Sequence, residues 1–201
     1  MSANTFEINQ ATHQGFNEND EIWLFGYGSL IYKVDFPFIK KSKAYITGWQ
    51  RRFWQGSHDH RGTPDNPGRV VTLIEAEGSR CDGMAYKVTP QEFIHLDERE
   101  KNGYLRHQVS LTLVDEQGQE RHKTGLIYIA DQTNAAFLGE ADEQVIAQHI
   151  ARSKGPSGEN TEYLLKLADS LRALGAHDEH VFELERLILN KAGDSGFIAD
   201  N

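Results

Sequence analysis

At 201 residues, with 38% hydrophobic and 25% charged side chains, the chain suits one domain with a full core and appendages at most. Its formal net charge of -9 argues against nucleic acid as a partner, because phosphate binding needs a basic face. No apolar run approaches the roughly 18 residues of a membrane span, and no membrane partner is expected; the N-terminus MSANTFEINQ lacks the basic start and apolar centre of a signal peptide, and Cys81, the one cysteine, cannot form an intramolecular disulfide. The expected compartment is the cytoplasm. Cys81 itself lies in no motif and reads as a buried or incidental thiol.

Residues 1–20 are polar and aperiodic and read as a flexible N-terminal arm, ahead of a single domain at 21–190 and a frayed, flexible tail at 191–201. The domain opens with IWLFGYGSLI at 22–31, an apolar run too short for a helix that empties into Gly26-Tyr27-Gly28-Ser29. That pattern predicts a buried strand and a tight loop. Gly26 and Gly28 can take φ > 0 and let a bound molecule approach the loop N–H groups, so the loop is either a structural turn or a cradle for a carboxylate or oxyanion. Between Lys33 and Arg52 six Lys or Arg stand against one acid, Asp35, a solvated basic face or an attractor for a small anion.

Ala44–Trp49 and Arg51–Gln55 read as strand material joined near Gly48, and SHDHRGTPDNPG at 57–68 as a long surface loop of the kind that often carries function. Strand character resumes at Arg69–Glu75 and Gly83–Val88. Thr89-Pro90-Gln91-Glu92 then offers a capping Thr, a Pro for the first helical position and a Glu for a capping box, starting a helix that runs toward Glu100 with Gly103 as terminator. Leu105–Val114 and Gly125–Ala130 flank an EQGQ turn as a hairpin. Three helical stripes follow: Val145, Ile146, His149 and Ile150; Leu164, Leu167, Ala168 and Leu171; Phe182, Leu184, Leu187 and Ile188. With about six strands, mainly antiparallel, ahead of most of the helices, the fold expected is α+β, a small mainly antiparallel β-barrel with flanking helices.

Few residues point to chemistry by themselves. The pairs His58/His60 and His177/His180 have no nearby Cys and no metal-helix spacing, so no metal site is expected. Ser29 lacks the Gly-x-Ser-x-Gly elbow of a nucleophile, and a hydrogen-bonding role suits it better. LDEREKNGY at 96–104 places Asp97, Glu98 and Glu100 beside Arg99 and Lys101. Such a mixture is usually a solvated helix face, but a carboxylate buried there can act as a general base, and the pattern does not choose among the three.

Four stretches resemble the ChaC family, the glutathione-specific γ-glutamylcyclotransferases: FGYGSLIYKVDFP at 25–37, RRFWQGSHDHRGTPDNPGRVVTL at 51–73, LDEREKNGY at 96–104 and GPSGENTEYL at 155–164. The likeness covers roughly residues 22–190 in order. It implies a γ-glutamylcyclotransferase-like barrel, a glutathione substrate and no cofactor. It further implies that Tyr27, Gly28, Ser29 and Leu30, entered through Gly26, bind the γ-glutamyl group and that Glu100, the acid after Arg in REKxGY, is the catalytic carboxylate. Tyr104 and Tyr163 are candidates for orienting the substrate or Glu100. Of Arg51 and Arg52 only one should reach the pocket if both lie on one strand, and Arg52 is the candidate for a substrate carboxylate. GPSGEN is either a second rim loop or a helix connection capped by Asn160. The rival readings are a cyclotransferase for other γ-glutamyl amines or amino acids, and a non-catalytic regulatory binding protein.

Overall fold

Two long antiparallel strands, β2 (Lys40–Ser57) and β3 (Gly68–Val88), form the frame, paired from Lys40↔Lys87 to Ser57↔Gly68 in a computed structural model that describes residues 4–11, 22–100 and 103–194. Each replaces two shorter strands expected from the sequence. The breaks read at Gly48 and between Glu75 and Gly83 are a bulge: pairing jumps from Thr47↔Arg80 to Trp49↔Glu75, with Gly48 and Gly78 at φ 81° and 76°. β3 carries three extra residues across this jump; such an irregularity kinks a strand without ending it, and glycine takes the left-handed backbone the kink requires.

Three further strands complete a closed barrel in the order β1-β3-β2-β4-β5, with β1 at Ile22–Gly26, β4 at Leu105–Val114 and β5 at Glu120–Ile129. β4 and β5 are the expected hairpin, turning through Gly118 at φ 76°. Closure comes from the one parallel pairing among the described residues, Trp23↔Gly125 and Leu24↔Leu126 between β1 and β5. The α+β, mainly antiparallel barrel expected from the sequence is the fold observed.

Strand alternation divides the core. Phe25, Ile127 and Ile129 join a cluster that includes Ile46, Phe53 and Leu73, whereas Leu24, Leu126 and Tyr128 face Phe93 and Leu96. The second cluster belongs to α2 (Glu92–Arg99), which starts through backbone turns, Glu92 N–H to Thr89 O and Phe93 N–H to Pro90 O, without a side-chain cap. The first is covered by α3 (Glu143–Arg152), α4 (Asn160–Leu174) and α5 (Glu179–Asp194). Leu164, Leu167, Ala168 and Leu171 are buried as their spacing predicts, but Val145, read into the α3 stripe, is 50% exposed; Ala147 takes that place beside Ile146 and Ile150. Among the described residues no helix is long and apolar enough to cross a membrane.

Asn160 does not cap α4. Fully buried, it brackets β3, its Oδ1 accepting from Arg69 N–H (2.7 Å) and its Nδ2 donating to Arg69 O (2.8 Å). GPSGEN forms a two-strand ribbon, β6 (Lys154–Gly155) and β7 (Gly158–Glu159), pinned to the 57–68 loop by Ser157 N–H donating to His60 O. At the termini, residues expected to belong to flexible appendages include a helix, α1 (Phe6–Ala11), and the last turn of α5 to Asp194; residues 1–3 and 12–20 of the expected arm and 195–201 of the expected tail lie outside the described residues.

Because β5 approaches β1 over a bare Cα, Gly125→Ala tests the closure. An added Cβ meets the Trp23 carbonyl at 2.6 Å and the Leu111 side chain. Overpacking of this kind costs about 1–3 kcal/mol, so the midpoint of chemical denaturation falls, and an unchanged midpoint would mean that the β1–β5 seam is loose.

Candidate active site

The glycine loop follows β1 directly. Its glycines are needed for closeness rather than for the left-handed backbone expected of them: Gly28 sits at φ -124°, and neither Gly26 nor Gly28 has positive φ. A Cβ on Gly26 lies 2.6 Å from Leu30 Cβ; one on Gly28 lies 2.9 Å from Val71 and 3.1 Å from the Tyr163 hydroxyl. The chain then makes one 3-10 turn, Ser29–Ile31, whose first bond runs from Ile31 N–H to Gly28 O. Among the described residues the N–H groups of Gly28, Ser29 and Leu30 donate no backbone hydrogen bond. The loop's carbonyls, by contrast, are fastened: Tyr27 O accepts from Arg51 Nε (2.6 Å) and Leu30 O from the Tyr86 hydroxyl (2.6 Å).

Glu100 ends α2, its N–H still donating to Leu96 O at 2.9 Å. Its side chain is 19% exposed and lies 3.2 Å from Arg99 Nε. Burial raises its pKa above the usual carboxylate range; Arg99 opposes this, while Asp35 and Asp59 reinforce it. The other two acids of the cluster are placed differently. Glu98 is exposed. Asp97 is fully buried, accepting from the Tyr128 hydroxyl (2.5 Å) and Gln10 Nε2 (2.8 Å), with Arg106 at 3.6 Å.

Two adjoining cavities meet at Glu100. The inner, about 70 Å³, is walled by the Phe25–Leu30 segment and Tyr128. The outer, about 480 Å³, is bordered by Lys33, Asp35, Arg99 and the His58–Arg61 part of the long loop. Ser29, Glu100, Tyr104 and Tyr163 line both. Tyr104 and Tyr163 are kept as neutral phenols, burial pushing both pKa values well up. Tyr163 is further fixed by edge-on packing with Tyr32 and Phe53 at 6.5 and 5.8 Å.

The profile of the ChaC-like protein family matches residues 22–191, which is most of the chain. The chain belongs to the ChaC-like family. Gamma-glutamylcyclotransferase 2-3 of Arabidopsis thaliana is 42% identical over 183 residues, covering 87% of this chain and 92% of its own length. Glutathione-specific gamma-glutamylcyclotransferase 1 of Danio rerio is 39% identical over 176 residues, with 84% and 89% covered. The crystal structure of a yeast gamma-glutamylcyclotransferase specific to glutathione superposes with a TM-score of 0.77 at 32% identity, covering 86% of this chain and 97% of that one.

Within this ChaC-like site, Gly26, Tyr27, Gly28, Ser29, Leu30, Glu100, Tyr104 and Tyr163 come together as the sequence suggested, and Arg52 does not. Alternation along β2 buries Arg51 and turns Arg52 away, where it donates to Arg51 O (2.8 Å) and Gln50 Oε1 (2.5 Å) and borders neither cavity. The cations that do border the site are Lys33, Arg99 and Arg61. Arg61 donates to Glu162 Oε2 (2.8 Å) and Glu159 O (2.9 Å). The signal for Arg61 was its place in the long loop; that for Arg99 was adjacency to Glu100.

His58 and His60 stand at the cavity wall. His180 is structural, its Nε2 accepting from Phe53 N–H (3.0 Å) and its Nδ1 facing Glu143 Oε1 (2.9 Å), with burial lowering its pKa. Among the described residues no group of three or more His, Cys, Asp or Glu is arranged to hold a metal. Cys81 is buried, and burial pushes its thiol up to about 11.

The raised pKa of Glu100 has a stability consequence. The native carboxyl holds its proton to higher pH than the unfolded one, so stability is lost as pH rises from the ordinary value of 4.5 through the raised native value. Glu100→Gln removes that penalty. Its thermal midpoint exceeds that of wild type by more at pH 7 than at pH 4, and a variant less stable at pH 7 would show that the ionised carboxylate is favoured where it stands.

Proposed function

We propose that this protein cleaves reduced glutathione to 5-oxoproline and Cys-Gly in the cytoplasm, with the cyclotransferase unit at residues 21–190 and with neither nucleic acid nor membrane as a partner. The observation that carries the reading is the meeting of a carboxylate of raised pKa, Glu100, and the free N–H groups of the Gly28–Leu30 turn at one small cavity. The likeness to proteins named as glutathione-specific gamma-glutamylcyclotransferases supplies the substrate.

The chemistry is an intramolecular displacement. Glu100 takes a proton from the α-ammonium of the γ-glutamyl group, and the freed amine attacks its own side-chain carbonyl. The new C–N bond closes a five-membered lactam. As the tetrahedral intermediate collapses, the bond to the cysteine nitrogen breaks; Glu100 returns its proton to that leaving nitrogen and relays the second proton of the ring nitrogen to it, so that a neutral lactam and the ammonium of Cys-Gly result. No water, oxidant or enzyme nucleophile enters the balance. The loop N–H groups stabilise the carbonyl oxygen while it is anionic, and Tyr104 and Tyr163 shape the cavity so that the substrate folds upon itself. Holding amine and carbonyl in a near-attack shape supplies several kcal/mol, roughly as in other well-oriented intramolecular reactions.

Mass spectrometry of reactions with glutathione and with γ-glutamyl-alanine tests this directly. Glutathione alone should yield 5-oxoproline. Product mainly from γ-glutamyl-alanine would keep the chemistry and transfer the specificity, and silence from both would leave a binding protein. Glu100→Gln loses activity about 10²-fold or more with its fold intact, since an amide cannot accept the proton. EDTA leaves the rate unchanged, because no step uses a metal; loss restored by zinc would return His58 and His60 to consideration.

A further inference from the structure

The end of α2 poses a problem that the barrel does not solve. Helix termini leave carbonyls without intrahelical partners, and here the helix stops at the proposed catalytic residue before Gly103, at φ 90°, turns the chain into β4. Asn134 satisfies one carbonyl, donating to Gly103 O at 3.0 Å. Glu100 O accepts from Tyr104 N–H at 3.3 Å, and further donors to this turn come from Thr5 and α1, which precede the region shared with the family. Thr5 Oγ1 donates to Tyr104 O (3.0 Å) and more distantly to Glu100 O (3.4 Å), and Asn9 Nδ2 donates to Tyr104 O (2.9 Å). Asn9 Oδ1 accepts from Arg106 N–H at 3.0 Å, and the Arg106 side chain donates back to Asn9 O.

α1 reaches the other side of the site as well. Gln10 Nε2 donates to Asp97, Asp97 accepts from the Tyr128 hydroxyl, and Tyr128 O accepts from the Tyr27 hydroxyl at 2.9 Å. One chain of hydrogen bonds therefore runs from the N-terminal helix to the glycine loop. A six-residue helix does not persist alone in water, so its place depends on what it docks against. What it buries is polar: Thr5 is 4% and Asn9 1% exposed, whereas the aliphatic Ile8 is 53% exposed. A segment kept only for bulk stability would bury Ile8 and turn Asn9 to solvent.

We infer that α1 and the preceding Thr5 form a positioning element of the active site, with Thr5 and Asn9 holding the backbone of Glu100 and Tyr104 at the geometry that proton transfer needs. The inference rests on the proposed cyclotransferase reaction. Neither side chain borders either cavity, so they act through the backbone they hold rather than on the substrate.

The test uses the full chain with Thr5→Val, Thr5→Ser and Asn9→Ala, measuring kcat and KM on glutathione beside the thermal midpoint. Displacing a catalytic group by as little as 1 Å can cost about 10²-fold. Thr5→Val and Asn9→Ala should lower kcat at least about tenfold while KM stays within about twofold, and Thr5→Ser, which keeps the hydroxyl, should recover most of the rate. If Asn9→Ala does not fold, the near-isosteric Thr5→Val carries the test. Wild-type kcat in the folded variants overturns the inference and leaves the reaction standing. So does a loss of rate that only follows the fraction unfolded. A wild-type protein that makes no 5-oxoproline removes the reaction itself, and the positioning role with it.

Discussion

The guanidinium of Arg51, 2% exposed, reaches three parts of the chain at once: Tyr27 O through Nε, the Asp178 carboxylate through Nη1 at 2.5 Å and Asp82 O through Nη2 at 2.5 Å. Burial disfavours the charge, yet Asp178 helps to hold its pKa above the ordinary value. A buried charge stripped of its partner is strongly destabilising, so these contacts are obligatory for the fold. Their consequence is local and functional. With its Tyr27 carbonyl fastened inward, the peptide chain enters the 3-10 turn in one orientation, and the following N–H groups are the ones left without backbone partners. The guanidinium is planar with fixed donor directions, which suits three acceptors on three elements better than a point charge does.

The environment of Glu100 follows from its place on α2. Asp97 and Glu100 are three residues apart and so share a face of α2, while Glu98 points elsewhere. Asp97, deeper in the helix, is surrounded by donors. Glu100, at the last turn, has Arg99 on one side and open cavity on the other. Arg99 is itself divided between Asp35, Ser29 Oγ and Glu100, so it steadies the carboxylate without saturating it. A carboxyl with more donors would be held ionised and too weak a base; one with none would be a poor proton acceptor at neutral pH.

The strands, the helix faces and the glycine loop were legible because they are local: period-2 and period-3.6 patterns and a break after an apolar run are visible in a window of ten residues. What was not legible depends on pairs far apart in the chain. The continuity of β2 and β3 through a bulge requires each strand to hold the other in register, and the mid-strand glycines that permit it look like ends. Asn160 looked like a cap and is a bracket for Arg69, 91 residues away. The choice between Arg51 and Arg52 was legible in principle, since alternation allows only one to face inward. The inward one proved to belong to the framework: Arg51 is buried, is held by Tyr27, Asp82 and Asp178, and borders neither cavity. The polar arm concealed α1 for a similar reason: its buried face is Thr and Asn, which hydropathy reads as solvent-facing.

In the cyclotransferase reading, cyclisation consumes only the γ-glutamyl half of the substrate, so the proposal assigns that half to the inner cavity and the departing half to the outer one. The two are built from different material. The inner wall is β1, its glycine turn and buried tyrosines, all fastened to the barrel. The outer wall includes the 57–64 part of the long loop and Ser157 between β6 and β7; Arg61 and the His60 carbonyl tie loop and ribbon to each other, and Asn160 ties the start of α4 to β3 at Arg69. A loop can change side chains without disturbing barrel register, whereas the glycine turn cannot accept even a methyl group without meeting Val71 or Leu30. Selectivity for the leaving half is therefore free to vary in this architecture while the cyclising chemistry is not.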